Sequence, residues 1–524
     1  MTVRRLWYGK SLERSTYHIS SALFLRFLGA VYLIAFVSLW TQIEGLVGTT
    51  GILPVPDYLD AVERHFSEQV PPKSAVWSIP TLVWLSPDDA FLNLLCTAGT
   101  LLSLLLISGV LPIPTLMLLW LTYLSLVHAG QVFLSFQWDI LLLETGFTAI
   151  FLAPFRLRSR LFNDGDPPRL AMWLIWWLLF RLMFESGAVK LTWDDWQFQT
   201  DGSSVDNTWE TLRAMDFHYW TQPLPTQTSW YAAKLPVWFQ KLSVVGVFVI
   251  ELGLPLLVFG PRRLRYVACG GFTLLMLLIA VTGNYNFFNL LTILLVMTVV
   301  DDRTWPEFLR RRISGSHDAK FVWFPRFRSL LLLPFAVLAV VLGGLQVTES
   351  VAPRQQRYPS LESRLNISQL FLVNDYGLFR HMTETRPEIV IEGSADRLEW
   401  KEFTFHWKPG DVTRPPRFNT PHQPRLDWQM WFEALRLERV DEVTDTVDLR
   451  HASPWFRSFL KCLLTGEPNV LGLLADNPFP QADPNYVRVV LYRYRFTTNG
   501  EADRTGSWWH RDLVCTGRAL SLPR

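Results

Sequence analysis

Long apolar runs separated by short polar connections dominate the first 350 residues of the chain. Most runs have about 17 to 22 residues, and a helix of that length spans roughly 30 Å of hydrocarbon. The pattern predicts a polytopic α-helical membrane bundle with about nine spans. The spans are expected near residues 21–40, 90–110, 112–128, 133–153, 170–189, 237–259, 265–282, 286–300 and 329–347.

The pattern changes after the ninth run. A short linker at 353–359 precedes segments that alternate apolar and polar residues, as the strands of a soluble sheet do. Strands are predicted at 388–393, 398–407, 486–497 and 507–516, and helices at 428–437 and 453–464. We therefore expect residues 1–350 to form a transmembrane helical domain with exported loops at 41–89 and 190–236. Residues 351–524 are expected to form an extracytoplasmic, β-rich mixed domain.

The Lys and Arg residues of the loops indicate an orientation. With a cytoplasmic N-terminus, 18 basic residues fall on the cytoplasmic side and five in the connecting loops of the exported side. Cytoplasmic loops carry the excess of Lys and Arg in membrane proteins, so we expect the N-terminus inside and the C-terminus on the exported side. The net charge of +2 reflects this distribution and indicates no nucleic-acid partner. The membrane would be that of the endoplasmic reticulum in a eukaryote and the cytoplasmic (inner) membrane in a bacterium.

Polar side chains occur inside several runs. Each charged group costs at least about 2.5 to 3.5 kcal/mol near the bilayer centre, so such groups normally face a bundle interior or a watery cavity. We expect a polar cavity lined by Gln137, Asp139, Glu144, Arg181, Asn284, Asn286 and Asn289. For the three asparagines, hydrogen bonding between helices is the alternative role.

The fifth run contains Arg181 and Glu185, and Lys190 lies just beyond its end. Arg181 and Glu185 are four residues apart on one helical face, where they can pair. Two interpretations of Lys190 stay open. Its ammonium extends to the interface or pairs with Glu185, or it is desolvated and acts as a base. Lys190 and Glu185 are thus the candidate catalytic residues, and neither is assigned firmly.

The second exported loop is rich in aromatic residues with polar tips, which suit a membrane interface that is dry on one side and wet on the other. Its central residues include His218, Tyr219, Trp220, Gln222 and Pro225. The loop is predicted either to anchor the protein at the interface or to cover the polar cavity.

Motifs for other chemistry are missing from the sequence. It has no nucleotide-binding glycine loop, no His-Glu-x-x-His and no CxxC pair, so we expect no cofactor and no metal site. Cys462 and Cys515 both fall in the region expected to be exported, where a disulfide between them is possible.

Six segments are long, compositionally unusual and spread over nearly the whole chain: SLWTQIEGLVGTTGILP, GQVFLSFQWDILLLETGF, LLFRLMFESGAVKLT, FHYWTQPLPTQTSWYAAKLPVW, TGNYNFFN and FLVNDYGLFRHMTETRP. Together they resemble the signature segments of the lipase maturation factor family, in the family's order and nearest to its second type. The resemblance implies a membrane protein of the endoplasmic reticulum with a lumenal C-terminal domain. It also implies a client, a secreted lipase that needs the protein to reach its active state.

A more distant resemblance concerns the transmembrane part of vitamin K-dependent gamma-carboxylase. The pattern Gly-Ala-Val-Lys-Leu followed by Asp194-Asp195-Trp196 is similar to the carboxylase segment with a base-like lysine. By that match, Lys190 would occupy the position of the lysine. The spacing to the Asp-Trp pair differs by one residue, so the resemblance does not carry catalysis with it.

The sequence features lead to three hypotheses for the function of the protein. The first is a chaperone-like maturation factor without enzyme activity, with membrane lipids and a secreted client protein as partners. The alternative is a carboxylase-like membrane enzyme that acts on a lipid or quinone through Lys190, Asp139 and Glu144. The third is a transporter, which the absence of an evident inverted repeat disfavours.

Overall fold

The computed structural model describes residues 15–69, 73–159, 161–162, 164, 166–192, 207–312, 323–352, 367–441 and 446–522. Side chains are described throughout these ranges except at 323–329 and 439–441. The predicted linker at 353–359 and the pattern Asp194-Asp195-Trp196 lie outside the described residues.

Helices form most of the chain up to Val351. In chain order they are α1 (His18–Trp40), α2 (Ile43–Val47), α3 (Val55–Ser67), α4 (Ala75–Ser78), α5 (Asp89–Ser108), α6 (Pro112–Ala129), α7 (Gln137–Leu152), α8 (Arg169–Thr192), α9 (Ala214–Thr221), α10 (Gln227–Ala232), α11 (Val237–Phe259), α12 (Arg262–Thr282), α13 (Phe288–Met297), α14 (Glu307–Arg310) and α15 (Trp323–Val351). Helix α11 is α-helical to Phe248, passes through a π-helical turn at Val249–Gly253 and ends as a 3₁₀ helix.

Seven helices in the described residues are long and apolar enough to cross a membrane: α1, α5, α6, α8, α11, α12 and the Leu330–Val351 part of α15. The predicted membrane bundle is therefore confirmed, whereas the count of nine spans is not. Helix α7 has 16 residues, because the run at 133–153 begins in a separate 3₁₀ turn, Gln131–Leu134. Helix α13 has ten residues, since the chain turns at Tyr285–Phe287 before it and leaves the helix at Thr298.

Local sequence explains where α5 begins, ends and packs. The carboxylate of Asp88 accepts a hydrogen bond from the backbone N–H of Phe91 at 2.7 Å and caps the first turn. Gly109 ends the helix with a φ of 77°, a left-handed conformation that glycine adopts without strain. At Gly99 a Cβ atom would lie 2.2 Å from the ring of Phe36, so glycine permits the close contact between α1 and α5.

The C-terminal region contains a four-stranded antiparallel sheet in the order β2-β1-β3-β4. Its elements are β1 (Pro387–Ser394), β2 (Lys401–Glu402), α16 (Arg425–Asp441), α17 (Pro454–Leu464), α18 (Pro468–Leu471), β3 (Tyr486–Phe496), α19 (Asn499–Thr505) and β4 (Trp509–Thr516). Three predicted strands are confirmed, and so is the pairing of the last two. The predicted strand at 398–407 is wrong except for β2. The carboxylate of Asp396 accepts from the N–H groups of Leu398 and Glu399, which holds that stretch in a turn.

The C-terminal region packs on one end of the bundle, where α1, α6, α8 and α12 end at Trp40, Ala129, Thr192 and Thr282. We name this end the capped end. Apolar side chains continue from the bundle into the sheet region without a break. The ring centroids of Trp138 and Trp428 are 4.8 Å apart, and those of Phe133 and Trp455 are 5.7 Å apart. Both regions therefore share one core.

Candidate functional site

Asp139 of α7 forms an ion pair with a residue of the C-terminal region. Both of its carboxylate oxygens accept hydrogen bonds from the guanidinium of Arg425, each at 2.9 Å. Arg425 also donates to the carbonyl of Phe133 at 2.7 Å, and Tyr123 donates to Asp139 at 2.5 Å. Asp139 and Arg425 are both fully buried. This two-hydrogen-bond geometry is the strongest form of a carboxylate–arginine pair.

Glu144, one turn further along α7, has partners on three parts of the chain. It pairs with the guanidinium of Arg181 on α8. Its other oxygen accepts from Tyr376 Oη at 2.8 Å and from the backbone N–H of Asn374 at 2.9 Å. Arg181 in turn donates to Gln346 Oε1 at 2.8 Å and to the carbonyl of Asn374 at 3.0 Å. A segment that follows the last helix of the bundle thus enters the network of Glu144.

Glu185 and Gln137 bind the same segment through its backbone. The carboxylate of Glu185 accepts from the N–H of Tyr376 at 2.9 Å, and Gln137 Oε1 accepts from the N–H of Gly377 at 3.2 Å. The only carboxylate in direct contact with Arg181 among the described residues is that of Glu144, so the predicted pairing of Arg181 with Glu185 is replaced by a pairing between helices.

The three asparagines also lie at the capped end. Asn284 donates to the carbonyl of Arg417 at 2.8 Å and accepts from the N–H of Asn419 at 2.9 Å. Asn286 donates to Gln423 Oε1 at 2.8 Å. Asn289 is buried, and within the described chain neither of its amide atoms has a hydrogen-bond partner.

Of the seven residues expected to line a polar cavity, all except Asn289 bind the C-terminal region in the described part of the chain. We name this set of contacts the junction; its bundle residues are Gln137, Asp139, Glu144, Arg181, Glu185, Asn284 and Asn286. The sequence signal was correct in that these groups do not face lipid. It could not show that residues 371–425 would occupy the space in front of them.

The aromatic loop lies between the bundle and the sheet. The guanidinium of Arg386 donates to the carbonyls of Trp220, Gln222 and Pro223, at 2.8 Å for Trp220 and Pro223. Gln222 is fixed to the bundle, since it donates to the carbonyl of Thr282 at 2.7 Å. Tyr219, also predicted in this loop, lines the cavity described in the next paragraph. Pro225 forms an isolated β-bridge with Gly283.

A cavity of about 400 Å³ lies beside this loop, between α8, α11 and α12. Its lining is mainly apolar. The polar side chains that reach it are Ser186, Lys190, His218, Tyr219, Ser243, Glu251, Thr282 and Tyr285. Leu378 and Phe379, in the segment that binds Glu144, close it on the side of the C-terminal region.

Lys190 forms an ion pair at the wall of this cavity, but its partner is not Glu185. Its ammonium donates to Glu251 Oε2 at 2.6 Å and to the carbonyl of Ser186 at 2.9 Å. The ammonium also lies 5.1 Å from the ring centroid of Trp209. Glu251 belongs to the π-helical turn of α11, a feature that often occurs at functional sites. These contacts account for the buried position of Lys190 without assigning it a reaction.

His218 lines the same cavity. Burial lowers the pKa of His218 to about 4, and the charge of Lys190 acts in the same direction. The imidazole is therefore neutral near pH 7. Its Nδ1 atom is buried without a hydrogen-bond partner among the described residues.

Cys462 and Cys515 do not form the disulfide considered from the sequence; both are buried thiols in the structure. Burial raises the pKa of Cys462 to about 11, so the thiol is protonated and unreactive near neutral pH.

Two family models match the chain. The lipase maturation factor transmembrane domain matches residues 19–307, and the lipase maturation factor C-terminal domain matches residues 372–517. The chain belongs to the lipase maturation factor family. Lipase maturation factor 2 of Mus musculus is 38% identical over 95% of this chain and 82% of its own length. Lipase maturation factor 2 of Homo sapiens is 37% identical over 94% of this chain and 81% of its own length. Lipase maturation factor 1 of Bos taurus is 32% identical over 95% of this chain and 88% of its own length.

The sequence of the chain is thus more similar to these type 2 relatives than to the type 1 relative. No solved structure matches the chain significantly. The junction lies across both matched regions, because Asp139, Glu144 and Arg181 belong to the first and Tyr376 and Arg425 to the second.

Proposed function

We propose that the protein is an integral membrane maturation factor that brings secreted lipases to their active state without catalysing a reaction on them. Its site of action is the endoplasmic reticulum membrane, with the capped end and the C-terminal region in the lumen. Membership of the lipase maturation factor family supports the class of function. The side of the membrane and the mode of action are our inference.

One structural observation carries this proposal. The C-terminal region is attached to the bundle by buried charged and amide groups, among them the pair Asp139–Arg425 and the partners of Glu144. Buried polar contacts of this kind fix one arrangement, because any displacement would leave a charge without its partner. The bundle therefore holds the sheet in a defined position next to the membrane, as a platform for a folding client requires.

The edge of the sheet is the surface that we assign to the client. Strand β4 is an outer strand, and its middle residues Asp512 and Leu513 are exposed. An edge strand presents backbone N–H and C=O groups that can pair with an extended segment of another chain. A partly folded lipase would contribute such a segment.

The client contact is tested with Leu513→Lys. Leu513 is 60% exposed on β4, so the protein should fold normally, while a charge on the outer strand should oppose strand addition. We expect secreted lipase activity to fall several-fold in cells that have this variant as their only maturation factor. Leu398→Lys is the matched control, because Leu398 is 83% exposed outside the strands. Equal lipase activity with the two variants would refute the assignment of β4.

The orientation is tested by cysteine labelling. Leu157 is 80% exposed near the end of the bundle opposite the capped end, and Leu398 is exposed in the C-terminal region. The four native cysteines are buried, so their background labelling should be low. A membrane-impermeant maleimide should label Leu157→Cys from the cytoplasm and Leu398→Cys from the lumen. Labelling of both positions from the same side would contradict the proposed topology.

A further inference from the structure

The cavity beside Lys190 has the size and lining of a ligand site. Its volume of about 400 Å³ lies within the range of roughly 300 to 1,000 Å³ that is typical of small-molecule sites. Most of its wall is hydrocarbon, contributed by residues such as Leu182, Met183, Val247, Leu275 and Phe288. A ligand that fills it must therefore be largely apolar.

The cavity reaches the outer surface of the bundle between α11 and α12. Phe239 on α11 and Leu274 and Leu278 on α12 line the cavity and are also exposed on the outside of their helices. Both helices are apolar enough to cross a membrane, so these outer faces meet hydrocarbon. The approach to the cavity is thus from the bilayer rather than from water.

The polar end of the cavity carries no net charge. Lys190 and Glu251 neutralise each other at 2.6 Å, and both are more than nine-tenths buried. His218 is neutral and leaves Nδ1 without a partner in the described part of the chain. A charged head group would bring an unpaired charge into a site of low dielectric, whereas hydroxyl and ester groups would hydrogen-bond there without that cost.

We propose that this cavity binds an uncharged glycerolipid of the diacylglycerol type from the surrounding bilayer. One acyl chain lies along the apolar wall, and the hydroxyl and ester groups of the glycerol lie at Lys190, Glu251 and His218. The second chain extends between α11 and α12 into the membrane. The assignment concerns binding and includes no reaction of the lipid, and it does not depend on the proposed lipase client.

The test uses the full-length protein in phosphatidylcholine nanodiscs. A diacylglycerol with a photoactivatable group and an alkyne in one acyl chain is added, crosslinked and mapped by mass spectrometry. We expect crosslinks on cavity residues of α11 and α12, with competition by unlabelled diacylglycerol. Phosphatidylcholine and fatty-acid probes with the same chain should label these residues much less, because both carry charged head groups. Preferential labelling by either charged probe, or diacylglycerol labels spread evenly over the lipid-facing helices, would overturn the assignment.

Two glycines provide matched variants. A Cβ atom at Gly246 or at Gly270 meets no heavy atom within 4 Å, so both positions accept a larger side chain. Gly246 lines the cavity, whereas Gly270 lies on the exposed face of α12 outside it. We expect Gly246→Phe to reduce diacylglycerol crosslinking by roughly tenfold, because its ring occupies the space of the acyl chain, and Gly270→Phe to leave it unchanged. Equal crosslinking of two folded variants would refute the site. If Gly246→Phe does not fold, the wild-type crosslink map decides the question.

Discussion

Arg425→Ala is expected to lower the free energy of unfolding by about 3 to 5 kcal/mol, the usual cost of removing one partner of a buried ion pair. The substitution leaves the Asp139 carboxylate fully buried, with Tyr123 as its remaining described hydrogen-bond donor. It also removes the donor to the carbonyl of Phe133. Because the two partners belong to different regions, the substitution should weaken the attachment of the C-terminal region to the bundle.

Folded yield in detergent and the thermal midpoint of the purified protein measure this effect. Arg450→Ala is the control, since Arg450 pairs with Asp448 on the exposed surface and should contribute nothing measurable. A double variant, Asp139→Leu with Arg425→Met, should recover much of the loss, because no buried charge then lacks a partner. Wild-type stability of Arg425→Ala would show that the junction does not hold the two regions together.

The junction connects the two regions predicted from the sequence, residues 1–350 and 351–524. Asp139, Glu144 and Asn284 of the first region use partners from the second. A bundle without that region would expose these groups, or bury them unpaired. We therefore expect the two regions to be stable together and not alone, which agrees with a platform whose position relative to the membrane is fixed.

The helices of the bundle were largely predictable because a spanning helix needs a run of apolar residues whose length is set by the bilayer. The predicted and observed bounds of the spans differ most in front of α7 and α13. Gln131–Leu134 is a separate turn in front of α7, and Asn284 precedes a bend before α13. The pattern of apolar residues does not reveal the turn before α7 or the bend before α13, because the residues around both are mostly apolar.

The partners within the junction could not be predicted in the same way. Asp139 and Glu144 were recognisable as groups that must avoid lipid, but Arg425 is 286 residues from Asp139, and Tyr376 is 232 residues from Glu144. Periodicity gives only neighbours on one helix, which is why Glu185 was considered for Lys190. Glu251 was missed although a signal existed. It is an acidic residue inside an apolar span and follows the same rule as Asp139.

The pair Lys190–Glu251 gives the prediction that separates a maturation factor from an enzyme. Lys190→Met should cost about 3 to 5 kcal/mol of stability, because Glu251 would stay buried without its ammonium partner. Lys190→Arg keeps the positive charge, and the adjacent cavity gives space for the larger head group. If Lys190 only pairs with Glu251, the Arg variant should fold and support lipase maturation near the wild-type level.

A catalytic base would give the opposite result for Lys190→Arg. A guanidinium stays protonated at any useful pH and cannot accept a proton, so the Arg variant would be folded but inactive. The measurements are folded yield and the activity of co-expressed secreted lipase. Lys461→Met, at an exposed position of α17, controls for the loss of one lysine. If the Lys190→Arg protein folds but does not support lipase maturation, the proposed non-catalytic function is wrong and Lys190 has a chemical role.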